Sequence, residues 1–263
     1  LRALAEAGLL KEFHRIARPE DQGNRLYNRH GDLLFDEADS GHGGRPEVDR
    51  SALREMLLEA LPIARVRWGQ AVSGAEQLDD GRWRLRLNEG RRVSEAFDLV
   101  VGADGAGSRL RPLLSPYPLQ YSGLTLLEFG IDDGDARHPK VAALVGRGKL
   151  MAQGDGRALI AQRNGHAHIR VYAVFRVPAD WAGRRFDLFN PERVQAQLLE
   201  EFAGFAPSLQ AIVHASNGLY VPRPIHALPV GHRWPHRRGL TLIGDAAHLM
   251  SPFGGEGVNA ALL

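Results

Sequence analysis

The sequence contains no cysteine, very little lysine and no long apolar run. The absence of cysteine excludes disulfides, thiolate metal sites and cysteine nucleophiles. No segment approaches the roughly 18 apolar residues that a membrane-spanning helix needs. Residues 1–15 carry charges within their apolar stripe, unlike a secretory signal. Any redox chemistry must therefore be carried by a cofactor, and we expect a cytoplasmic protein without a membrane partner.

The charge balance argues against nucleic acid as a partner. The net charge is only +2, and the 33 basic residues, almost all of them arginine, are scattered along the chain. No interleaving of aromatic and basic residues suggests a base-stacking surface. His226, His232 and His236 lie in a proline-rich segment without carboxylates at ligand spacing, so we expect no metal site.

The first hundred residues alternate between helical and strand patterns. Apolar spacing predicts a helix over residues 1–15, with Gly8 as a possible cap, and a second helix that Asp49 caps. Residues 27–35 predict a hairpin between these helices. Three alternating segments between residues 64 and 97 predict an antiparallel meander of three strands.

Two short apolar strands that end in glycine flank a long insertion. Residues 97–102 and 239–244 are nearly continuous apolar runs, as expected for parallel strands that are buried on both faces. The insertion, residues 117–232, is rich in β-branched and aromatic segments, notably 123–131, 141–145, 157–162 and 166–176. We expect a mostly antiparallel sheet there, with a helix from about Pro191 to Phe202.

The strongest chemical signal follows the second apolar strand. A carboxylate at the end of a buried strand is placed to accept hydrogen bonds from sugar-like hydroxyls, and small residues beside it let a ligand approach the backbone. The alternative is a capping aspartate followed by a flexible loop. A chance match to this many specified residues within sixteen positions is far rarer than a match to a single glycine motif. The residues that carry the signal are Gly244, Asp245, Pro252, Gly254, Gly255, Gly257, Val258 and Asn259.

A second signal follows the first apolar strand. Asp104, Gly105, Ser108, Arg109 and Arg111 come directly after it. Such a loop suits a pyrophosphate or a nicotinamide cofactor, whereas the alternative is an Asx-type turn with Arg109 on the surface. In the helix that follows Asp49, solvated arginines are the simplest interpretation of the polar face.

The stretch GDAAHLMSPFGGEGVNAALL closely resembles the flavin-binding GD motif of group A FAD-dependent monooxygenases, and DLVVGADGAGSRLR resembles their DG motif. The resemblance implies an α/β FAD-binding fold of the para-hydroxybenzoate hydroxylase type, here partial, with an inserted β-rich substrate domain. Asp245 would bind the flavin ribityl chain, and residues 252–259 would lie along the flavin ring. The DG motif would serve both FAD and NAD(P)H, and Arg54 would contact the flavin.

By the same resemblance, residues 1–116 would form the FAD-binding domain, 117–232 the substrate domain and 233–263 the return to the FAD-binding domain. No G-x-G-x-x-G segment is present, so we expect the chain to lack the first nucleotide-binding segment of the fold. The sequence also stops soon after the GD motif, so we expect it to lack the C-terminal helical region that follows in the family. The expected reaction uses NAD(P)H and O2 to hydroxylate an aromatic or polyketide-like small molecule. The chemistry would be carried by the flavin, with no catalytic side chain.

Within this group, the resemblance in short stretches of sequence is strongest to the tetracycline-inactivating flavin monooxygenases. An approximate alignment places Glu128, Lys149 and Arg170 where those enzymes contact the drug. A carboxylate and an ammonium recognise hydrogen-bonding groups differently from the amide and guanidinium of that family, which leaves the substrate open. Two alternatives also stay open: a flavin-dependent dehydrogenase or reductase of the same fold, and a non-catalytic fragment that cannot hold FAD.

Overall fold

The computed structural model describes residues 2–39, 46–91, 93 and 95–262. Contacts divide the chain into two units. Unit 1 comprises residues 1–60 and 123–225, and unit 2 comprises residues 61–122 and 226–263.

Strands and short helices alternate along the chain. The strands are β1 (Gly23–Asn28), β2 (Leu33–Glu37), β3 (Val72–Gln77), β4 (Trp83–Leu87), β5 (Val100–Gly102), β6 (Gln120–Ile131), β7 (Gly148–Gly154), β8 (Arg157–Arg163), β9 (Ile169–Arg176), β10 (Val221–Ala227) and β11 (Leu240–Leu242). The helices are α1 (Arg2–Glu6), α2 (Leu10–Ile16), α3 (Arg50–Glu59), α4 (Gly134–Arg137), α5 (Pro139–Val145), α6 (Trp181–Arg185), α7 (Pro191–Glu201), α8 (Pro207–His214), α9 (Asp245–His248) and α10 (Gly257–Leu262).

A seven-stranded sheet forms the centre of unit 1, in the order β10-β6-β9-β8-β7-β1-β2. Strands β6, β9, β8 and β7 pair antiparallel in turn, as do β1 and β2, whereas β1 and β7 run parallel. The expectation of a mostly antiparallel sheet is confirmed, and the hairpin predicted at residues 27–35 is β1–β2.

Successive side chains in a strand point to opposite faces of the sheet, and those that point to one face of this sheet are apolar. Phe129 on β6 and Phe175 on β9 are buried there, and Leu198 of α7 and Ile212 of α8 pack into the same core. The predicted helix from Pro191 is confirmed as α7. Its last acidic residue, Glu201, forms ion pairs with an arginine at the start of β8 and an arginine on α6, which tie the end of the helix to the sheet and to α6.

Three secondary-structure predictions for unit 1 were wrong in detail. Residues 141–145, expected as part of the sheet, belong to helix α5, because Pro139 starts a helix whose Val141 and Val145 face the core one turn apart. The single helix expected over residues 1–15 is two helices, broken at Gly8 with a positive φ of 74°. Asp49 precedes α3 but does not cap it, since its carboxylate pairs with Arg18 at 2.9 Å.

Unit 2 packs two small sheets around one buried tryptophan. Strands β3 and β4 pair antiparallel, and β5 and β11 pair in parallel. Trp83, 1% exposed, lies at the centre of this core and donates from Nε1 to the Arg238 carbonyl at 3.0 Å. The expected third strand of the meander is reduced among the described residues to a bridge between Trp83 and Phe97, and residues 92 and 94 of that segment lie outside the described ranges.

The strands β5 and β11 are covered on one face only, which corrects the expectation of burial on both faces. Val100 and Leu242 are buried, whereas Leu99, Val101 and Ile243 are between 43% and 60% exposed. Within residues 2–39, 46–91, 93 and 95–262, no helix has the length and apolar character needed to cross a membrane.

The sequence-based domain boundaries at residues 116 and 232 stay a prediction. Contacts group the first sixty residues with the large sheet, since β1 pairs along its whole length with β7. This pairing could not be read from local pattern because the two strands are separated by more than a hundred residues.

Candidate functional site

The parallel strands of unit 2 bring the two glycine-terminated motifs to one edge of their sheet. Leu240 pairs with Val100 and Leu242 with Gly102, so both strands end side by side. The chain continues from β5 to Asp104 and from β11 to Asp245. In open α/β sheets, ligands bind beyond the carboxyl ends of the strands. The edge that carries both aspartates is therefore the candidate cofactor site.

Asp104 is held by its own loop. Its Oδ2 accepts from the backbone amides of Arg109 at 2.7 Å and Leu110 at 3.4 Å. Partial desolvation acts to raise the pKa of the Asp104 carboxyl, but hydrogen bonds from Ser108 and from these amides outweigh it and lower the pKa below its ordinary value. Asp104 is thus an ionised acceptor at neutral pH. The Arg109 side chain is exposed and bonds to no residue that the structure describes.

Arg111 connects the two motif loops, a role that sequence reasoning did not assign to it. The residue is only 5% exposed. Nη1 donates to the Ala106 carbonyl at 3.0 Å in the first loop, and Nε donates to the Ala246 carbonyl at 3.1 Å in the second. Burial lowers the pKa of Arg111, and the charge of Asp104 opposes this shift. A guanidinium stays protonated in proteins, so a buried cation joins both loops.

His232 makes a second connection that was also missed. One ring nitrogen, Nδ1, lies 2.9 Å from the Ala247 carbonyl, and Nε2 lies 2.9 Å from Ser115 Oγ. Together with Arg111, it engages the carbonyls of two consecutive residues of α9. The only sequence signal for Arg111 was its position seven residues after Asp104, and nothing local pointed to His232.

Asp245 opens α9 directly after Gly244. Gly244 has φ 57° and ψ −146°, a conformation that a residue with a Cβ adopts only under strain. The Asp245 side chain is half-buried, and no donor among residues 2–39, 46–91, 93 and 95–262 reaches its carboxylate. The site therefore offers an acceptor that no described part of the protein uses.

The glycine-rich segment after α9 is open. Pro252–Gly254 form one turn of 3-10 helix, Gly255 is left-handed, and α10 starts at Gly257. A Cβ added at Gly254, Gly255 or Gly257 would meet no atom within 4 Å among the described residues. These three glycines therefore leave unfilled space next to the backbone of the segment. Val258 is 47% exposed, and the Asn259 amide donates to Glu256 at 2.9 Å.

Arg54 lies on α3 in unit 1. Its side chain is exposed and has no hydrogen-bond or ion-pair partner in the described part of the chain. Its predicted contact with a flavin stays a prediction. No group of three histidine, aspartate or glutamate side chains gathers as metal ligands in the ranges that the structure describes.

The three predicted substrate residues share one face of the large sheet. Phe129, Leu150 and Val171 alternate with them in the strands and are buried in the core, so Glu128, Lys149 and Arg170 face the other way. Below, this surface is called the open face.

Two of the three residues contact each other. Arg170 Nη1 donates to Glu128 Oε1, and Arg223, from the edge strand β10, donates through Nε to Glu128 Oε2 at 2.9 Å. Lys149 pairs across β7–β8 with Gln162, which pairs with Arg170. Lys149 is therefore two strand spacings, roughly 10 Å, from Arg170. Sequence reasoning missed Arg223.

Comparison with known proteins shows what the chain is similar to. A family model described as "FAD binding domain" matches residues 1–263. The chain is 30% identical to monooxygenase penA of Penicillium thymicola, over 100% of the chain and 69% of that protein. Among solved structures, Klebsiella pneumoniae HpxO with FAD and uric acid superposes with a TM-score of 0.76 at 22% identity, over 99% of the chain and 65% of HpxO.

The tetracycline destructase Tet(51) superposes with a TM-score of 0.65 at 20% identity, over 99% of the chain and 65% of that structure. At identities of 22% and 20%, the likeness shows that the chain has the same fold as these two solved structures, and no more than that. The chain spans about two thirds of the length of these relatives.

Proposed function

The chain belongs to the family of FAD-dependent monooxygenases that share this FAD binding domain, and from that premise we propose that it forms part of an enzyme that hydroxylates a small molecule. The co-substrates are NAD(P)H and O2, and the substrate is an aromatic or polyketide-like compound. The observation that carries the proposal is the shared edge of β5 and β11. The ionised Asp104 lies there beside Asp245, whose carboxylate has no partner among the described residues, and the buried Arg111 joins the two loops through the carbonyls of Ala106 and Ala246.

The residues at this edge fit FAD. The Asp245 carboxylate is half-buried and lacks a described donor, which suits the hydroxyl groups of a ribityl chain. The glycines at 254, 255 and 257 leave room beside it, since no described atom lies where their Cβ atoms would be. Pro252, Val258 and Asn259 would border the same cofactor. When bound, FAD supplies the redox chemistry, which is hydride acceptance from NAD(P)H and activation of O2.

The protein's part is to bind and to orient. Asp245 accepts hydrogen bonds from the cofactor, and Gly244 lets the backbone approach it closely. Arg111 fixes α9 against the first motif loop and His232 fixes it against Ser115, so Asp245 keeps its place relative to Asp104, Gly105 and Arg109. Such positioning by buried polar contacts is what a preorganised site requires.

The open face is the proposed substrate surface. Glu128, Lys149 and Arg170 gather polar groups on it, and the fold shared with Tet(51) supports a tetracycline-like compound as one candidate. A phenol is the other candidate, since phenols are electron-rich acceptors of an oxygen atom.

The proposed reaction is tested with the purified protein supplied with FAD, NADH or NADPH, and either tetracycline or phenol under 18O2. We expect substrate-stimulated oxygen uptake and a product that is heavier by one 18O atom. NAD(P)H oxidation that yields hydrogen peroxide with both compounds and no 18O-labelled product would contradict oxygen transfer to these two compounds. No NAD(P)H oxidation by flavin-loaded protein would contradict the proposed co-substrate.

A further inference from the structure

The carboxylate of Glu128 is occupied on both oxygens. Arg170 reaches Oε1 from β9 and Arg223 reaches Oε2 from β10, the two strands that flank β6. The Glu128 side chain is 15% exposed, whereas those of Arg170 and Arg223 are 42% and 55% exposed. Glu128 therefore lies beneath two guanidinium groups, and the surface that a ligand would meet is cationic.

Arg223 is presented by an unusually stiff piece of backbone. It lies between Pro222 and Pro224, whose rings fix φ on both sides. Proline is tolerated here because β10 is an edge strand. Arg223 contacts Glu128 through Nε alone, so its terminal Nη1 and Nη2 groups have no partner among the residues that the structure describes. These two amino groups form the planar fork that binds a carboxylate with two hydrogen bonds.

The charges of Glu128 and of the three basic residues named with it on the open face do not cancel. Glu128 supplies one negative charge, and Arg170, Arg223 and Lys149 supply three positive charges, so the four groups sum to +2. The two terminal amino groups of Arg223 add donors that no described residue uses. Excess positive charge and free donors both favour an anionic oxygen as the occupant.

In a step that rests on the proposed function, we infer that Arg170 and Arg223 recognise an anionic oxygen of the substrate, either a carboxylate or an ionised enol or phenol. Glu128 is a positioning residue that holds the two guanidinium groups and does not itself contact the substrate. This revises the role that the sequence suggested for Glu128 and adds Arg223 to the specificity-determining residues.

The inference is tested by calorimetric titration of the purified chain with benzoate and with benzamide, which have nearly the same shape and differ in charge. We expect benzoate to bind at least about tenfold more tightly than benzamide. Arg223→Gln should remove that preference, and Arg223→Lys, which keeps the charge but not the fork, should restore it in part. The control is Arg184→Gln, which replaces an exposed arginine of α6 that pairs with Asp180 and should leave the preference unchanged.

Glu128→Gln separates positioning from bulk charge. Removal of the negative charge alone would tighten benzoate binding, whereas loss of a support for two arginines would weaken it, and we expect weaker binding. Equal affinity for the two probes, no binding of either, or a preference that survives Arg223→Gln would overturn the inference. Because the titration needs neither FAD nor turnover, a charge preference without oxygenation would count against the proposed reaction alone.

Discussion

Replacement of Arg111 by methionine tests how the two motif loops are joined. Methionine fills a similar volume but donates no hydrogen bond, so the carbonyls of Ala106 and Ala246 lose a buried donor. A buried carbonyl left without a partner costs about 1–3 kcal/mol. Ala246 is fully buried and Ala106 only partly, so the two losses together predict a decrease of about 3 kcal/mol in the free energy of unfolding. The value is in the lower part of the range because methionine also spares the cost of burying a charge.

The assay is urea unfolding followed by tryptophan fluorescence, with hydrogen exchange of a peptide covering residues 244–250 to localise the change. Amides of α9 should exchange faster in Arg111→Met, because the helix loses its connection to the first loop. Arg109→Met is the matched control, since that arginine is exposed and its loss should change stability by no more than about 0.5 kcal/mol. A loss below about 1 kcal/mol for Arg111→Met, or unchanged exchange in α9, would refute this reasoning.

Two further predictions concern stability. Gly239→Ala should destabilise the protein by about 2 kcal/mol or more in thermal unfolding, because φ is +74° and a Cβ would lie 2.7 Å from a backbone oxygen; an unchanged melting temperature would contradict this. Burial acts to raise the pKa of Glu201, but hydrogen bonds from Arg157 and Arg185 outweigh it and lower the pKa below the ordinary 4.5. The stabilisation is therefore complete above about pH 4.5 and is lost as the pH falls through the lowered pKa. Acid unfolding of Glu201→Gln should show a shallower pH dependence, and an identical profile would exclude this contribution.

Local pattern was enough to predict the elements with strong periodicity or clear turns. The hairpin β1–β2 and the helix α7 follow from alternation, glycine and an N-terminal proline, and the parallel strands β5 and β11 follow from short apolar runs that end in glycine. Residues 141–145 were misassigned because their β-branched composition outweighed Pro139, the start signal of α5. The parallel pairing of β1 with β7 depends on long-range contacts, which no local window contains.

The candidate site was predictable only where its residues are close in sequence. Asp104 and Asp245 could be identified because each follows a strand within a dense local motif. Arg111 and His232 could not, because their roles depend on carbonyls 135 and 15 positions away. Arg223 was missed for the same reason, since its partner Glu128 lies 95 positions earlier on a neighbouring strand.

The most direct test of the proposed function is whether this chain holds FAD through Asp245. The visible absorbance spectrum of the purified protein is recorded after incubation with FAD and desalting, for the wild type, Asp245→Ala and the control Asp79→Ala, an exposed aspartate in the turn between β3 and β4. We expect a protein-bound flavin band in the wild type and the control, and its loss in Asp245→Ala. Equal flavin retention by Asp245→Ala, or a wild-type chain that keeps no flavin, would contradict the site proposed at the edge of β5 and β11.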